Sequence, residues 1–476
     1  GHLPVSQLCS GHLLVRAMLI ERPSLMSVRT WMGWLLLVCS ALTLGWLVVE
    51  RPLLGFLLVG SALFVGAVDA TRAVKYAILT ICAIGLARRL LSGGRVDQDP
   101  LLLLPVFLLL LSLLAANAYR VEKRGWRKNS WDVVPVGLAL GLGLTAAISW
   151  VMVDQSLGGV YVTALLMTCC AALAGAARGL IPDARGWLYS KSSWFLLALS
   201  GYGIIQYVFL PPWDAGWMRA VNLSSVGEPT AFRVRVFGSL ESPGPYAMVV
   251  AIFLVLSLHR LVFDGFGVMR LLPVSLGFGA VFLSGVRTAL VGLFLILLIA
   301  VVKSGRWRLV PMAVSIAFGL RLLASKIFSF VGAESNVLSA DRYSLASLET
   351  DRSLLARLDL LRSVRSAVSE PLGTGLGGAR ADNLVLDLLV SLGPLAAIIS
   401  SLLIVIVVAR SISGSVLGLS GAFGLVSVFL AVFSLSSAIL LTTSGLFVAL
   451  IWGWSLGDRD SRLAAPEREA FQASGA

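Results

Sequence analysis

Apolar runs about as long as a membrane helix recur from Trp31 almost to the C-terminus, separated by short polar stretches. Crossing the hydrocarbon core takes roughly 20 apolar residues in a helix. The runs fall at 31-49, 52-68, 73-91, 101-118, 133-153, 159-177, 193-210, 242-260, 269-283, 286-303, 309-323, 384-409, 421-437 and 440-456. The third ends in Arg88 and Arg89, and the last two stand only a few residues apart. Roughly 12 to 14 helices are therefore expected. Backbone amides at membrane depth must be satisfied inside the protein, which leaves helices or a closed barrel. The runs are rich in Leu, Ala and Val and show no period of two, so helices are selected. The predicted fold is all-α, a polytopic transmembrane helical bundle.

Two connections break the pattern of short loops, one from Pro211 to Glu241 and one from Ser325 to Arg380. Long connections on one face usually carry function, because scaffolding needs only short ones. In the second, Leu345, Leu348, Leu354, Leu355, Leu358 and Leu361 recur at helical spacing, with Arg352, Arg357, Arg362 and Arg365 between them. This reads as an amphipathic helix on the membrane face or over a cavity. The glycine-rich stretch Gly373 to Gly378 reads as a flexible turn into the next helix. It is no phosphate loop, since no Lys-Ser/Thr follows and no strand precedes it. The layout is an N-terminal cytoplasmic segment over 1-30, N-terminal helices over 31-210, and a membrane region over 211-323 that includes the 211-241 loop. A long, partly helical loop over 324-380, C-terminal helices over 381-456 and a cytoplasmic tail over 457-476 complete it. Residue 1 is not Met, and Met18 and Met26 both look like natural starts, so part of 1-30 is expected to be leader or vector sequence.

Composition removes the soluble alternatives. Over 476 residues, 58% are hydrophobic and 13% charged, whereas soluble domains carry about 25% charged residues. The net charge of +13 does not point to nucleic acid. Lys and Arg collect in short loops such as Tyr119 to Lys128 and Lys303 to Arg308, the mark of cytoplasmic helix ends. Alternation then places both long connections on the opposite face. Four of the five cysteines lie inside apolar runs without CxxC or Cys/His spacing, so neither zinc nor a disulfide framework is indicated. None of the three histidines, His2, His12 and His259, suggests a catalytic centre.

Against this background three arginines stand out, because positive-inside logic expects few cations on the non-basic face. Arg233 and Arg235 precede the helix near Ser242, and Arg287 sits in a tight turn between two spans. Singly, each reads as a side chain snorkelling to lipid headgroups. Together they read as a pyrophosphate clamp, since guanidinium groups hold phosphate oxygens bidentately and stay charged, with Arg357 closing it from the loop. Asp382 reads either as a helix N-cap or as a carboxylate that takes a proton from an attacking sugar hydroxyl. Glu241 competes for that second role. Asp387 lies roughly 140° from Asp382 around a helix axis, so the two are no paired-carboxylate site. Asp387 is expected to contact a neighbouring helix.

The order Arg235-x-x-Gly238-x-x-x-x-Pro243, Ser284-x-x-Arg287-x-Ala289, Arg357 ahead of Pro371-Leu372-Gly373-x-Gly375-x-Gly377, then Asp382-Asn383 and Gly393 resembles the O-antigen ligase and Wzy-type polymerase superfamily. The resemblance covers about 230 to 395 and implies an integral-membrane, GT-C-like glycosyltransferase of the bacterial inner membrane. Its site would face the periplasm and move a glycan from a polyprenyl diphosphate carrier to an acceptor hydroxyl. Neither cofactor nor metal is implied. Arg235, Arg287, Arg357 and Arg233 would bind the diphosphate, Asn383 would bind substrate, and Asp382, Arg287 or Glu241 would serve catalysis. The implied partners are the lipid-linked oligosaccharide, a glycan acceptor, membrane lipids and a chain-length regulator protein, with no nucleic acid. Ligases of the family typically carry His-Asn where this chain has Asp382-Asn383, and Val286-Arg287 stands where the family has Ser-Arg. The Asp-Asn pair looks more like the polymerases, with a ligase acting on lipid A-core as the alternative. A secondary transporter or flippase is the rival from another class. It expects inverted repeats and broken helices near the midplane, and no internal repeat is evident.

Overall fold

The computed structural model describes residues 69–92, 105–106, 108–113, 133–153, 156–221, 226–263, 268–305, 369–376, 383–414 and 418–457. Within them the fold is all-α. The helices are α1 (Ala70–Ser92), α2 (Val133–Met152), α3 (Leu157–Ala177), α4 (Arg185–Phe209), α5 (Pro212–Val221), α6 (Pro243–Phe263), α7 (Val268–Leu283), α8 (Arg287–Ser304), α9 (Leu384–Leu392), α10 (Pro394–Ser413), α11 (Gly418–Ser434) and α12 (Gly445–Gly457), with a 3-10 turn at Ile439–Leu441. Among the described residues seven helices, α1 to α4, α6, α8 and α10, are long and apolar enough to cross a membrane. The chain is a multi-pass membrane protein. The spans predicted at 31-49, 52-68 and 309-323, and the amphipathic part of the 324-380 loop, lie outside the described residues.

Burial orders the bundle. In α6, 78% of the membrane-length window is buried, against 33% in α8 and 28% in α10. That contrast makes α6 the central helix, packed on α4, α7, α8 and α11. It opens with Pro243, whose fixed φ and missing N–H suit a first helical turn. α8 is two-faced though apolar all round. Ala289, Gly292, Leu293 and Ile296 face inward, and Val291, Phe294, Leu298 and Val302 face outward, as expected where the surrounding solvent is itself hydrocarbon.

Without a hydrophobic drive between helices in lipid, close packing depends on small residues. α12 and α3 show this. A Cβ on Gly453 would lie 2.6 Å from Cβ of Ala176, and one on Gly457 would lie 2.6 Å from the carbonyl oxygen of Ala177. The Gly453-xxx-Gly457 spacing therefore seats α12 directly on the backbone of α3.

Two expectations need correction. The run at 384-409 is two helices, because Gly393 takes φ +85° and a Cβ there would stand 2.7 Å from the carbonyl carbon of Pro371. The Gly373 stretch is not a loose turn in its described part. Thr374 and Gly375 donate their amides to Val390 (2.8 Å) and Ser391 (3.0 Å), closing off the last carbonyls of α9. The 211-241 connection contains α5, which begins at Pro212 with Asp214 in its first turn.

Contacts between helix termini sort the described charges onto two ends. Tyr189 meets His259, Arg260 donates to Tyr189 and Ser190, Lys303 donates to Ile412 and Gly414, and Arg410 donates to Leu456. This end also carries Arg72, Lys75, Arg178, Arg185 and Lys191, with Asp69 and Asp183 as its acids. The other end gathers Arg88, Arg89, Arg219, Arg233, Arg235 and Arg287 together with Asp214, Glu228, Glu241 and Glu370. The first end is strongly basic and the second nearly balanced. Gly453→Val should lower stability by about 1–3 kcal/mol through overpacking, read as an earlier thermal transition in detergent. Gly137→Ala should not, since a Cβ at Gly137 meets nothing within 4 Å.

Candidate functional site

At the balanced end, α7 stops at Leu283 and the chain reverses through Ser284–Val286 into α8. Gly285 makes the reversal with φ +66°, and Oγ of Ser284 accepts from the amide of Val286 at 3.3 Å. Arg235 lies across this turn, with Nε donating to the carbonyl of Ser284 (3.0 Å) and Nη2 to that of Gly285 (3.2 Å). A Cβ on Gly285 would stand 3.1 Å from Nε of Arg235, so the glycine permits the approach. Main-chain bonds hold the segment around Arg235, from its amide to Val226 (2.8 Å) and from Val236 to Leu283 (3.2 Å), beside an antiparallel bridge between Gly227 and Val234.

Arg287 is the first residue of α8 and is half-buried. That helix has no side-chain cap on Val286 and no acid in its first turn. Its N-terminal amides and macrodipole therefore add positive potential beside the turn that Arg235 covers. A helix N-terminus flanked by guanidinium groups is suited to a phosphate-bearing anion.

The other predicted residues divide. Arg233 points outward and pairs with Glu228 at 2.9 Å, both more than half exposed, so it does not join Arg235. Glu241 pairs with Arg88 at 3.2 Å. Asn383 is the N-cap of α9, accepting from Val385 (2.9 Å) and Leu386 (3.2 Å). The capping role considered for Asp382 thus belongs to its neighbour. Asn383 also donates to the carbonyl of Leu435 at 2.7 Å, just past the end of α11. Gly292, one turn into α8, faces Phe429 of α11, so Asn383 is tied to the same end of the bundle as Arg287. Asp387 is fully buried on α9. Asp382 and Arg357 lie outside the described residues.

Sequence reasoning missed the most enclosed ion pair among the described residues. Nε of Arg89 lies 2.6 Å from Oδ1 of Asp214, at 1% and 0% exposure. Arg89 also donates to the carbonyls of Leu240 (2.5 Å) and Gly238, and its guanidinium lies against the adjoining rings of Phe237 and Trp217. Oδ2 of Asp214 accepts from Tyr202 (2.8 Å) and Gln206 (2.7 Å). Beside it, Ser239 takes hold of α1: its Oγ donates to the carbonyl of Cys82, and its carbonyl accepts from the amide of Leu86 at 2.8 Å. Gly85 makes room, since a Cβ there would lie 2.8 Å from the oxygen of Ser239. One signal was readable in advance. Pro211-Pro212 followed by Asp214 among Trp213 and Trp217 has the form of a helix start with an acid in its first turn, and a carboxylate among aromatic residues needs a cation.

The chain matches no family model and no curated protein.

Asp214→Ala should cost about 3–5 kcal/mol, because it leaves the Arg89 charge buried without its carboxylate. The double variant Arg89→Met with Asp214→Leu should recover part of that loss. Chemical unfolding of the wild type, Arg89→Met, Asp214→Leu and their double variant in detergent gives the coupling, and additive losses would mean that the two side chains act independently.

Proposed function

We propose that this chain is an integral-membrane glycosyltransferase that takes a glycan from a polyprenyl diphosphate-linked oligosaccharide and joins it to the end of another, building a surface polysaccharide. The observation that carries the reading is the convergence of Arg235 on the Ser284–Gly285 turn that launches Arg287 and the uncapped α8. Arg235 on the turn and Arg287 as the first residue after it stand beside one helix N-terminus, which supports reading them as a shared anion-binding surface. In the reaction the acceptor hydroxyl oxygen bonds to the anomeric carbon, and the bond from that carbon to the diphosphate oxygen breaks. Negative charge grows on the departing diphosphate, and the two guanidinium groups with the helix terminus offset it. The hydroxyl proton goes to a carboxylate. Glu241 is held by Arg88, so that role is assigned to Asp382, next to the anchored Asn383.

The charge distribution supports an orientation in the bacterial inner membrane. The strongly basic end faces the cytoplasm, and the Arg235–Arg287 end faces the periplasm. The Asp382-Asn383 pair favours a polymerase over a ligase acting on lipid A-core. A flippase reading draws on the break at Gly393, since transporters place discontinuous helices at their substrate sites. Here the break is filled by the backbone of Glu370 and Pro371, an arrangement that suits a fixed support.

Protein reconstituted with an undecaprenyl diphosphate-linked repeat unit should release lipid diphosphate and form polymer. Arg235→Ala or Arg287→Ala should each lower turnover by roughly 10²–10³, and Lys at either position should rescue poorly because the bidentate fork is gone. Asp382→Asn should lose turnover while the helices stay intact. Full activity in both alanine variants, or repeat units trapped on the cytoplasmic leaflet of depleted cells, would overturn the reading.

A further inference from the structure

Arg235 reaches its turn from a backbone that is gripped immediately behind it. Oε1 of Gln206 accepts from two successive amides, those of Phe237 (2.9 Å) and Gly238 (2.8 Å). Gly238 takes φ +49°, so the two N–H groups converge in the manner of a backbone nest, a concavity that elsewhere holds anions. On the opposite side of the same stretch, Arg89 holds the carbonyls of Gly238 and Leu240. Asp214 joins the two grips, accepting from Nε2 of Gln206 while pairing with Arg89. Gln206 and Asp214 are completely buried and Arg89 nearly so.

The path from this clamp to the candidate site is short and made of main chain. Phe237 is two residues from Arg235. Between them Val236 is tied to Leu283, one residue before the turn that Arg235 covers. A shift at Gln206 is therefore passed through rigid backbone to the guanidinium. Packing leaves little slack, since a Cβ on Gly203, one turn before Gln206, would lie 2.8 Å from Cγ1 of Val236.

We propose that Gln206, backed by Asp214 and Arg89, is the positioning residue of the diphosphate site and sets where the Arg235 guanidinium stands relative to the N-terminus of α8. This rests on the diphosphate reading given above. Gln206 acts through the backbone, without touching the anion. Its amide is the suitable group because one side chain must accept from two amides and donate to a carboxylate at once.

The test uses the full-length protein in nanodiscs, with inorganic pyrophosphate as the probe for calorimetric binding and deuterium exchange read on the peptide covering 232–242. Gln206→Leu should weaken pyrophosphate binding roughly tenfold or more, as misplacement of a binding group does, and should speed exchange at Phe237 and Gly238 while overall helicity is kept. Gln206→Glu supplies a second readout. Protonated, the introduced carboxyl offers the same acceptor and donor as the amide, and ionised it faces Asp214. Its affinity relative to wild type at each pH should be near normal in acid and fall as pH rises. Unchanged exchange in Gln206→Leu, or faster exchange with wild-type affinity while Arg235→Ala binds weakly, would overturn the positioning role. Wild-type protein that binds no pyrophosphate would overturn the diphosphate reading and this inference with it.

Discussion

The balanced end of this protein depends on one ion pair that has no access to water. Arg89 and Asp214 meet at 2.6 Å with almost no exposure. Removing two charges from water is costly, and the cost is met only when the remaining donors and acceptors are also satisfied. Tyr202, Gln206 and the carbonyls of Gly238 and Leu240 provide that satisfaction. The result is a joint among α1, α4, α5 and the approach to α6. No single helix could supply it, because each contributes groups that would be intolerable in lipid by themselves.

Irregular backbone elsewhere at this end follows the same rule, that polar main chain within a membrane protein must be covered or paired. Ser239 offers its hydroxyl and its carbonyl to α1 where Gly85 removes the side chain that would block it. The Thr374–Gly375 amides close the end of α9, and Ser149 of α2 reaches the carbonyls of Leu372 (3.1 Å) and Ser391 (3.4 Å). Rigidity here comes from glycines that allow backbones to touch, an economical solution where apolar burial offers little selectivity between protein and lipid.

How much of this was legible in the sequence depended on range. Hydropathy is local, and the runs at 133-153 and 159-177 match α2 and α3 almost residue for residue. The run at 193-210 began late, because α4 starts at Arg185 with Lys191 and neighbouring serines that lower its hydropathy, while Ser190 and Ser192 turn their hydroxyls onto the helix's own carbonyls. Arg235 and Arg287 could be marked from charge placement, yet the seat of Arg235 on the turn before Arg287 depends on Gly285, whose backbone angle no periodicity reports. Arg89 was visible only as an ill-placed cation. Its carboxylate lies beyond α2, α3 and α4, and a pairing of that range has no local signature. The cap was read onto Asp382, and the hydrogen bonds from Val385 and Leu386 give it to Asn383, one residue on.

The Arg89–Asp214 pair also sets an order of events during synthesis. A chain made from its N-terminus produces α1 before α2, α3 and α4, and Asp214 only after all of them. Until α5 exists, the Arg89 charge has no carboxylate beside it and must stay among headgroups or water at the membrane surface. α1 can therefore reach its final depth only when α4 and α5 arrive. The first of the described helices to be made is among the last to settle, and its seating reports that the residues around Arg235 have been built.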